Sequence, residues 1–263
     1  MKIGFIGAGN MASALLGGMI NSGIVGPDNA MISDKNCEKL AQWKEKGVSI
    51  TDDNCVVERE CDVVFLAVKP NIIELVLDEL KGYKDKIYIS IAAGVSLDYL
   101  EGKLGSDMKI VRTMPNTPAQ VGCGMTVITP NASLSDNEIK SVMDLFSGVG
   151  SVLRLAEDKI GIATALHGSS PAYIYMLIDA MADSGVKYGL TKEESLLLAA
   201  KAVEGSAKMV LETGVHPEQL KDNVCSPGGT TIAAVCELEN RGFKSTVQAG
   251  IDACVERNNQ MKK

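Results

Sequence analysis

Up to about residue 158, short apolar runs alternate with amphipathic stretches long enough to be helices, which is the pattern of strands joined by crossover helices. The runs cover Lys2 to Ile6, Ala30 to Ser33, Asp62 to Val68, Lys86 to Ile91, Lys109 to Met114, Met125 to Ile128 and Ser151 to Leu155. They are continuous rather than alternating in polarity, as strands of a parallel sheet covered on both faces should be. Ser135 followed by Glu138 spells a reciprocal cap and predicts a helix start just before Ile139, Val142, Met143 and Phe146. Beyond Leu155 the strand pattern stops and apolar positions recur at helical spacing. Tyr173, Leu177, Ala180 and Ser184 fall on one face. Leu196, Ala199, Ala200, Val203, Ala207, Val210 and Leu211 fall on another, with Thr191 and Glu194 capping that helix. The chain therefore reads as an α/β domain over residues 1–158 and an all-α domain over 159–263, the boundary resting on the change of period.

Composition narrows the class. The 263 residues, 46% hydrophobic, suffice for one large or two modest cores. The run Leu196-Leu197-Leu198-Ala199-Ala200 is apolar all round, which predicts burial against another subunit and a homodimer through the helical half. With 26 basic against 33 acidic residues and no basic cluster, nucleic acid is not an expected partner. No apolar run is long enough to span a bilayer, and Met1-Lys2 leads straight into a strand-like stretch without the pattern of a signal peptide. The seven cysteines are odd in number, irregularly spaced and never Cys-x-x-Cys, which predicts reduced thiols in a cytoplasmic protein. The two histidines, His167 and His216, stand apart from the cysteines and from each other, so no metal is expected.

Gly7-Ala8-Gly9-Asn10-Met11-Ala12 is Gly-x-Gly-x-x-Ala directly after a predicted strand and opening a predicted helix. The first glycine permits a tight turn, the second lets a pyrophosphate approach the backbone, and Ala12 lets helix and strand pack closely. Free N–H groups at the helix start would face the phosphates. Asp34 ends the second run, where a carboxylate accepts hydrogen bonds from an adenosine ribose, which favours NADH. It would repel the extra phosphate of NADPH, although Lys35 offsets this and Ser33 or Asn36 can donate. Ala67-Val68-Lys69-Pro70 and Ala92-Ala93-Gly94 close two further runs at carboxyl ends, where open α/β sheets bind ligands.

A second glycine loop, Cys225-Ser226-Pro227-Gly228-Gly229-Thr230-Thr231, lies between two helical stretches and specifies a tight turn into a helix starting near Thr230. On the residues alone it reads as an ordinary helix–helix turn capped by threonine, or as a set of backbone donors for a carboxylate. Asn223 to Ala233, followed by Leu238-Glu239 and Gly242-Phe243, resembles the signature of pyrroline-5-carboxylate reductases. Gly168-Ser169-Ser170-Pro171-Ala172-Tyr173, Met114-Pro115-Asn116-Thr117-Pro118, Ala67 to Pro70 and Phe5-Ile6-Gly7-Ala8-Gly9-Asn10-Met11 resemble that family in the same order.

The resemblance implies an N-terminal Rossmann-type doubly wound sheet and a C-terminal all-α dimerisation domain that interlocks with its partner, with larger assemblies of dimers in some members. It implies NADPH or NADH as cofactor, pyrroline-5-carboxylate as substrate and proline as product. Gly7, Gly9, Asn10 and Met11, with Ile6 and Ala8 of the same segment, would line the dinucleotide. Asn54 would lie near its adenosine half, Val68 and Lys69 with Ala67 and Pro70 would flank it, as would Gly94, and Asn223 would approach the nicotinamide. Glu157, Thr230 and Thr231 would belong to the substrate pocket, with the N–H groups around Gly229 on the substrate carboxylate and the Thr231 hydroxyl, the catalytic candidate, on the ring nitrogen. Asp34 replaces a small hydroxyl residue used by some members, and His167 stands where serine or alanine is common. His167 reads better as a half-buried residue with a backbone partner than as an acid. A β-hydroxyacid dehydrogenase would need a lysine donor in the helical half, for which Lys187 and Lys201 are available without a matching motif. A nicotinamide-binding scaffold without catalysis is the remaining alternative.

Overall fold

The computed structural model describes residues 1–260. They form two compact units, one from Met1–Ser169 with the C-terminal segment from Val255, the other Ser170–Cys254. The first is built on β1 (Ile3–Ile6), β2 (Ala30–Ser33), β3 (Ser49–Thr51), β4 (Val63–Leu66), β5 (Ile87–Ser90), β6 (Lys109–Met114), β7 (Gly124–Pro130) and β8 (Gly150–Arg154). The order across the sheet is β3-β2-β1-β4-β5-β6-β7-β8. The chain thus winds one way from β1 to β3 and the other way from β4 onward, and the reversal opens between β1 and β4.

The helices that cover this sheet are α1 (Asn10–Asn21), α2 (Cys37–Glu45), α3 (Asn54–Glu60), α4 (Ile73–Glu79), α5 (Leu97–Leu104) and α6 (Asp136–Ser147). Ile3, Phe5, Val63, Phe65, Ile87 and Ile89 point into one core layer, while Ile6, Val64, Leu66 and Tyr88 point into the other. Both faces are buried, which is why the runs show no polar alternation. In the first layer the Phe5 and Phe65 rings stack at 4.2 Å and Phe146 of α6 meets Phe65 edge-on at 5.8 Å. Gly4 faces the second layer, where a Cβ would lie 2.4 Å from Val57, so its absence lets α3 sit against β1.

Two strands depart from the expected pattern. β3 carries no apolar signature because it is a short, largely exposed edge strand, Ser-Ile-Thr. β7 runs antiparallel to β6 while the other neighbouring pairs are parallel. The link between them holds only a short 3-10 turn, Thr117–Val121, too little chain for the crossover a parallel return requires. Both predicted reciprocal caps are present, Ser135 with Glu138 on α6 and Thr191 with Glu194 farther on.

After β8 come α7 (Ile160–Ala163) and a π-helical turn, Thr164–Gly168. Ile160 and Ala163 pack with Val127 of β7, so residues 159–169, beyond the change of period at 158, lie in the first unit. The helical unit contains α8 (Ser170–Lys187), α9 (Lys192–Thr213), α10 (Pro217–Val224), α11 (Thr230–Asn240) and most of α12 (Phe243–Gln260). α8 and α9 pack as a hairpin. Gly185 lets them approach, since a Cβ there would lie 2.4 Å from the Ser195 hydroxyl. Beyond Ala182, Ser195 and Ala199, these helices bury little within one chain.

Candidate functional site

The carboxyl ends of β1 and β4 meet where the sheet order reverses, the place where open α/β sheets hold ligands. Gly7 turns the chain out of β1 with φ +103°, and its N–H donates to the Ser33 carbonyl at 2.8 Å. A Cβ on Gly7 would lie 2.6 Å from the Ala67 carbonyl oxygen, so both conformation and space require glycine. Gly9 caps α1 without a side-chain partner for the first-turn N–H groups, and nothing stands within 4 Å of where its Cβ would be. Ala12 is buried against the sheet. Open backbone donors beneath empty space fit a bound pyrophosphate. A cleft of about 400 Å³ runs from here, lined by Gly7, Gly9, Asp34, Asn54, Ala67, Val68 and Lys69 among others. An adjoining hollow is lined by Ala8, Gly9, Asn10 and Met11.

At the far end of the cleft the polar groups are committed to one another. Asp34 Oδ2 accepts from the Ala8 N–H at 2.9 Å, and Oδ1 accepts from the Asn36 N–H at 2.9 Å. The Lys39 ammonium stands 3.5 Å from Oδ2. Burial pushes the Asp34 carboxyl upward, but the two backbone donors and Lys39 outweigh it and hold the group below its ordinary value. The Ser33 hydroxyl, fully buried, donates to Asn54 Oδ1 at 2.8 Å, and Asn54 Nδ2 donates to Glu79 at 2.8 Å. Asn36 spends its side-chain oxygen capping α2. Ser33 is thus not spare for a phosphate, whereas the cap uses only the Asn36 oxygen and leaves its amide nitrogen, the donor, uncommitted by that bond. Lys39, in the first turn of α2, escaped the sequence reading although it lines both hollows.

Other predicted residues lie elsewhere. The Ile6 side chain is inside the core, and only its backbone meets the loop, its carbonyl accepting from the Ala67 N–H at 2.9 Å. Pro70 follows β4 half-buried. Gly94 turns the chain after β5 with φ +79°, outside the lining of the cleft. Glu157 Oε1 accepts from the Leu97 N–H and from Arg112 Nη1, both at 2.7 Å. It thereby ties the start of α5 to β6, a carboxylate on a helix N-terminus. Asn223, Gly229, Thr230 and Thr231 belong to the helical unit. Gly228 has φ +68° and Gly229 caps α11 with no side-chain bond, so Thr230 and Thr231 are its first two residues and neither is the cap. Asn223 lies in the last turn of α10 and accepts from Gln219 at 3.0 Å.

Both ring nitrogens of His167 face backbone carbonyls, those of Ala163 and Met114, which commits the ring to structure. The neighbouring Met114-Pro115-Asn116-Thr117-Pro118 motif gains a physical explanation. Buried Asn116 donates to the His167 carbonyl at 3.0 Å and accepts from the Met125 N–H at 2.8 Å, joining β7 to the π turn. The sequence offered the motif but no hint of this role. Among the described residues no group of three or more metal-ligating side chains gathers, and no helix is long and apolar enough to cross a membrane.

Comparison with known proteins is consistent along the whole chain. Residues 157–261 match the family described as pyrroline-5-carboxylate reductase dimerisation, and residues 2–94 match NADP oxidoreductase, coenzyme F420-dependent. The pyrroline-5-carboxylate reductase of Escherichia coli is 46% identical over all of this chain and 98% of the relative. The solved pyrroline-5-carboxylate reductase of Coxiella burnetii superposes with a TM-score of 0.92 at 36% identity, covering 100% of this chain and 98% of that one. The enzyme of Plasmodium falciparum, solved with NADP bound, gives 0.91 at 36% identity with the same coverage. With a glycine loop whose geometry fits a dinucleotide, a second one opening α11, and relatives matched from end to end, this chain belongs to the pyrroline-5-carboxylate reductase family.

Proposed function

We propose that this chain reduces the ring C=N bond of 1-pyrroline-5-carboxylate to L-proline, the last step of proline formation. The observation that carries the reading is the end-to-end 46% identity to a reductase of that name, supported by a glycine loop with open space over Gly9. A reduced nicotinamide dinucleotide supplies the hydride. The residues of the chain have a smaller task, because a protonated imine accepts hydride readily and orientation is the main requirement. The loop from Gly7 to Met11 would hold the pyrophosphate, Asp34 and Asn54 the adenosine end, and Val68 and Lys69 the flank. Asn223 would approach the nicotinamide. The N–H groups from Gly229 to Thr231 would bind the substrate carboxylate at the start of α11, with the Thr231 hydroxyl on the ring nitrogen. That hydroxyl is not spent on capping the helix. Glu157, which bonds to Leu97 and Arg112, would also belong to the substrate pocket.

Residues 1–158 are assigned to the dinucleotide and 159–263 to substrate and to pairing with a second copy. Seven cysteines at irregular spacing, with no Cys-x-x-Cys pair, suit the reducing cytoplasm. The fixed Asp34 carboxylate supports NADH. A hydroxyacid dehydrogenase is less well supported, since Lys201 pairs with Glu204 at 2.7 Å and Lys187 lies over the Tyr188 ring. The test is oxidation of NADH and NADPH on adding pyrroline-5-carboxylate, with a β-hydroxyacid and oxidised cofactor as control. Turnover of the hydroxyacid alone would overturn the assignment.

A further inference from the structure

Asp34 sets a problem for any cofactor carrying a phosphate on the adenosine ribose. Two backbone N–H groups, from Ala8 and Asn36, hold its carboxylate in place, so it cannot turn away from an approaching dianion. Ser33 is buried and committed to Asn54. What remains is charge from the lysines that line the cleft, of which Lys35 and Lys39 follow Asp34 closely in sequence while Lys69 follows β4. The first two are not equivalent. Lys35 donates to the Asp52 carbonyl at 2.8 Å, a tie to the backbone. Lys39 makes only a long ion pair with Asp34, 3.5 Å, with 48% of its side chain exposed. Such a pair is weakly held, and its ammonium is released at little cost.

Resting on the reading of the chain as a dinucleotide-dependent reductase, we infer that Lys39 is the residue that admits a 2′-phosphate, leaving Asp34 to pair with it. With NADH, the carboxylate faces the ribose hydroxyls and Lys39 stays on it. With NADPH, the mobile ammonium lies between a fixed carboxylate and the phosphate and cancels their repulsion. One exposed lysine five positions after Asp34 thereby makes the cleft tolerant of both cofactors, although the carboxylate alone favours NADH.

The test compares the wild type with Lys39→Met and Lys35→Met. Calorimetry measures the binding of adenosine 2′,5′-bisphosphate and of AMP, and steady-state kinetics gives the ratio of kcat/KM for NADPH over NADH. Loss of one hydrogen bond to a charged group corresponds to roughly ten-fold or more. Lys39→Met should weaken the bisphosphate relative to AMP by roughly that factor, lower the cofactor ratio in step, and flatten the dependence of bisphosphate binding on salt. Equal weakening of both nucleotides, a larger selective loss in Lys35→Met, or failure of the wild type to bind the bisphosphate would each overturn the inference. If neither cofactor supports reduction of pyrroline-5-carboxylate, the functional reading fails while the nucleotide binding still decides the role of Lys39. If reduction proceeds and selectivity does not move, the role of Lys39 fails alone.

Discussion

Two glycines of the same loop serve different purposes, and substitution separates them. Gly7 is demanded by the protein itself, by φ +103° and by the Ala67 carbonyl 2.6 Å from a would-be Cβ. Gly9 has ordinary φ and open space above it, so the fold itself does not demand glycine there. Gly9→Val should leave the melting temperature near wild type and raise the cofactor KM by roughly ten-fold or more, the worth of one charge-assisted hydrogen bond. Gly7→Ala should cost roughly 1–3 kcal/mol of stability. Unaltered dinucleotide binding by Gly9→Val in calorimetry would mean the phosphates lie elsewhere. The sequence already assigned the two glycines different tasks, a turn and an approach for pyrophosphate, but not the crowding at Gly7, which depends on Ala67, distant in sequence and adjacent in space. The same limit hid Lys39, whose significance comes from Asp34 being pinned by Ala8.

Thr231 admits an equally sharp contrast. As the ring nitrogen turns from iminium to amine it gains a lone pair, so a hydroxyl donor interacts more strongly near the transition state than with substrate. Thr231→Ala should lower kcat by roughly ten- to a thousand-fold, the scale for one positioned donor, while Thr231→Ser keeps most activity. Since Gly229 is the cap, the melting temperature should move little. A less stable variant with wild-type turnover would return Thr231 to a purely structural part.

At the scale of elements, local signals were legible wherever a residue satisfies its own neighbours. The box on α6 is one example, Ser135 and Glu138 exchanging bonds and Lys109 reaching Glu138 at 2.7 Å. The Lys109 ammonium and the Ser135 groups hold Glu138 down to about 2, from an ordinary 4.5. Because folding favours the ionised form, this contribution is complete above about pH 4.5 and is lost as pH falls through about 2. Glu138→Gln should therefore flatten the fall in melting temperature across that window. Ser135→Ala should cost about 1 kcal/mol by denaturant titration at neutral pH. A pH profile identical in wild type and Glu138→Gln would remove the box from the account. Illegible were the elements defined by partners rather than by pattern. β3 is a strand because β2 offers it an edge, and β7 reverses because its link to β6 is short. The π turn depends on Asn116 and Met114, which lie far upstream of it.

For the whole molecule, the decisive feature is what the helical unit leaves uncovered. Met176 of α8 is 72% exposed, Leu197 and Leu211 of α9 are 64% and 84% exposed, and Tyr188 between those helices is 81% exposed. A large apolar side chain contributes roughly 1.5–3 kcal/mol when fully buried, so helices with so few buried positions gain little stability alone. A second copy of the chain is the covering that the dimerisation family match supports. The apolar run at Leu196 to Ala200 had already signalled this in the sequence, since a helix apolar all round needs partners all round. Leu197 and Leu211 lie about four turns apart on nearly one face of α9. On a solitary chain, glutamate at either site would be harmless, exchanging an exposed apolar group for a charged one. In a dimer it would be an unpaired buried charge, which costs several kcal/mol. Leu197→Glu and Leu211→Glu should therefore lower the mass measured by light scattering from dimer to monomer. The melting temperature of the wild type should rise with protein concentration, as for any fold completed by its partner. A wild type that scatters as a monomer, with both variants equally stable, would show that these leucines face water by design and that the helical unit holds itself together.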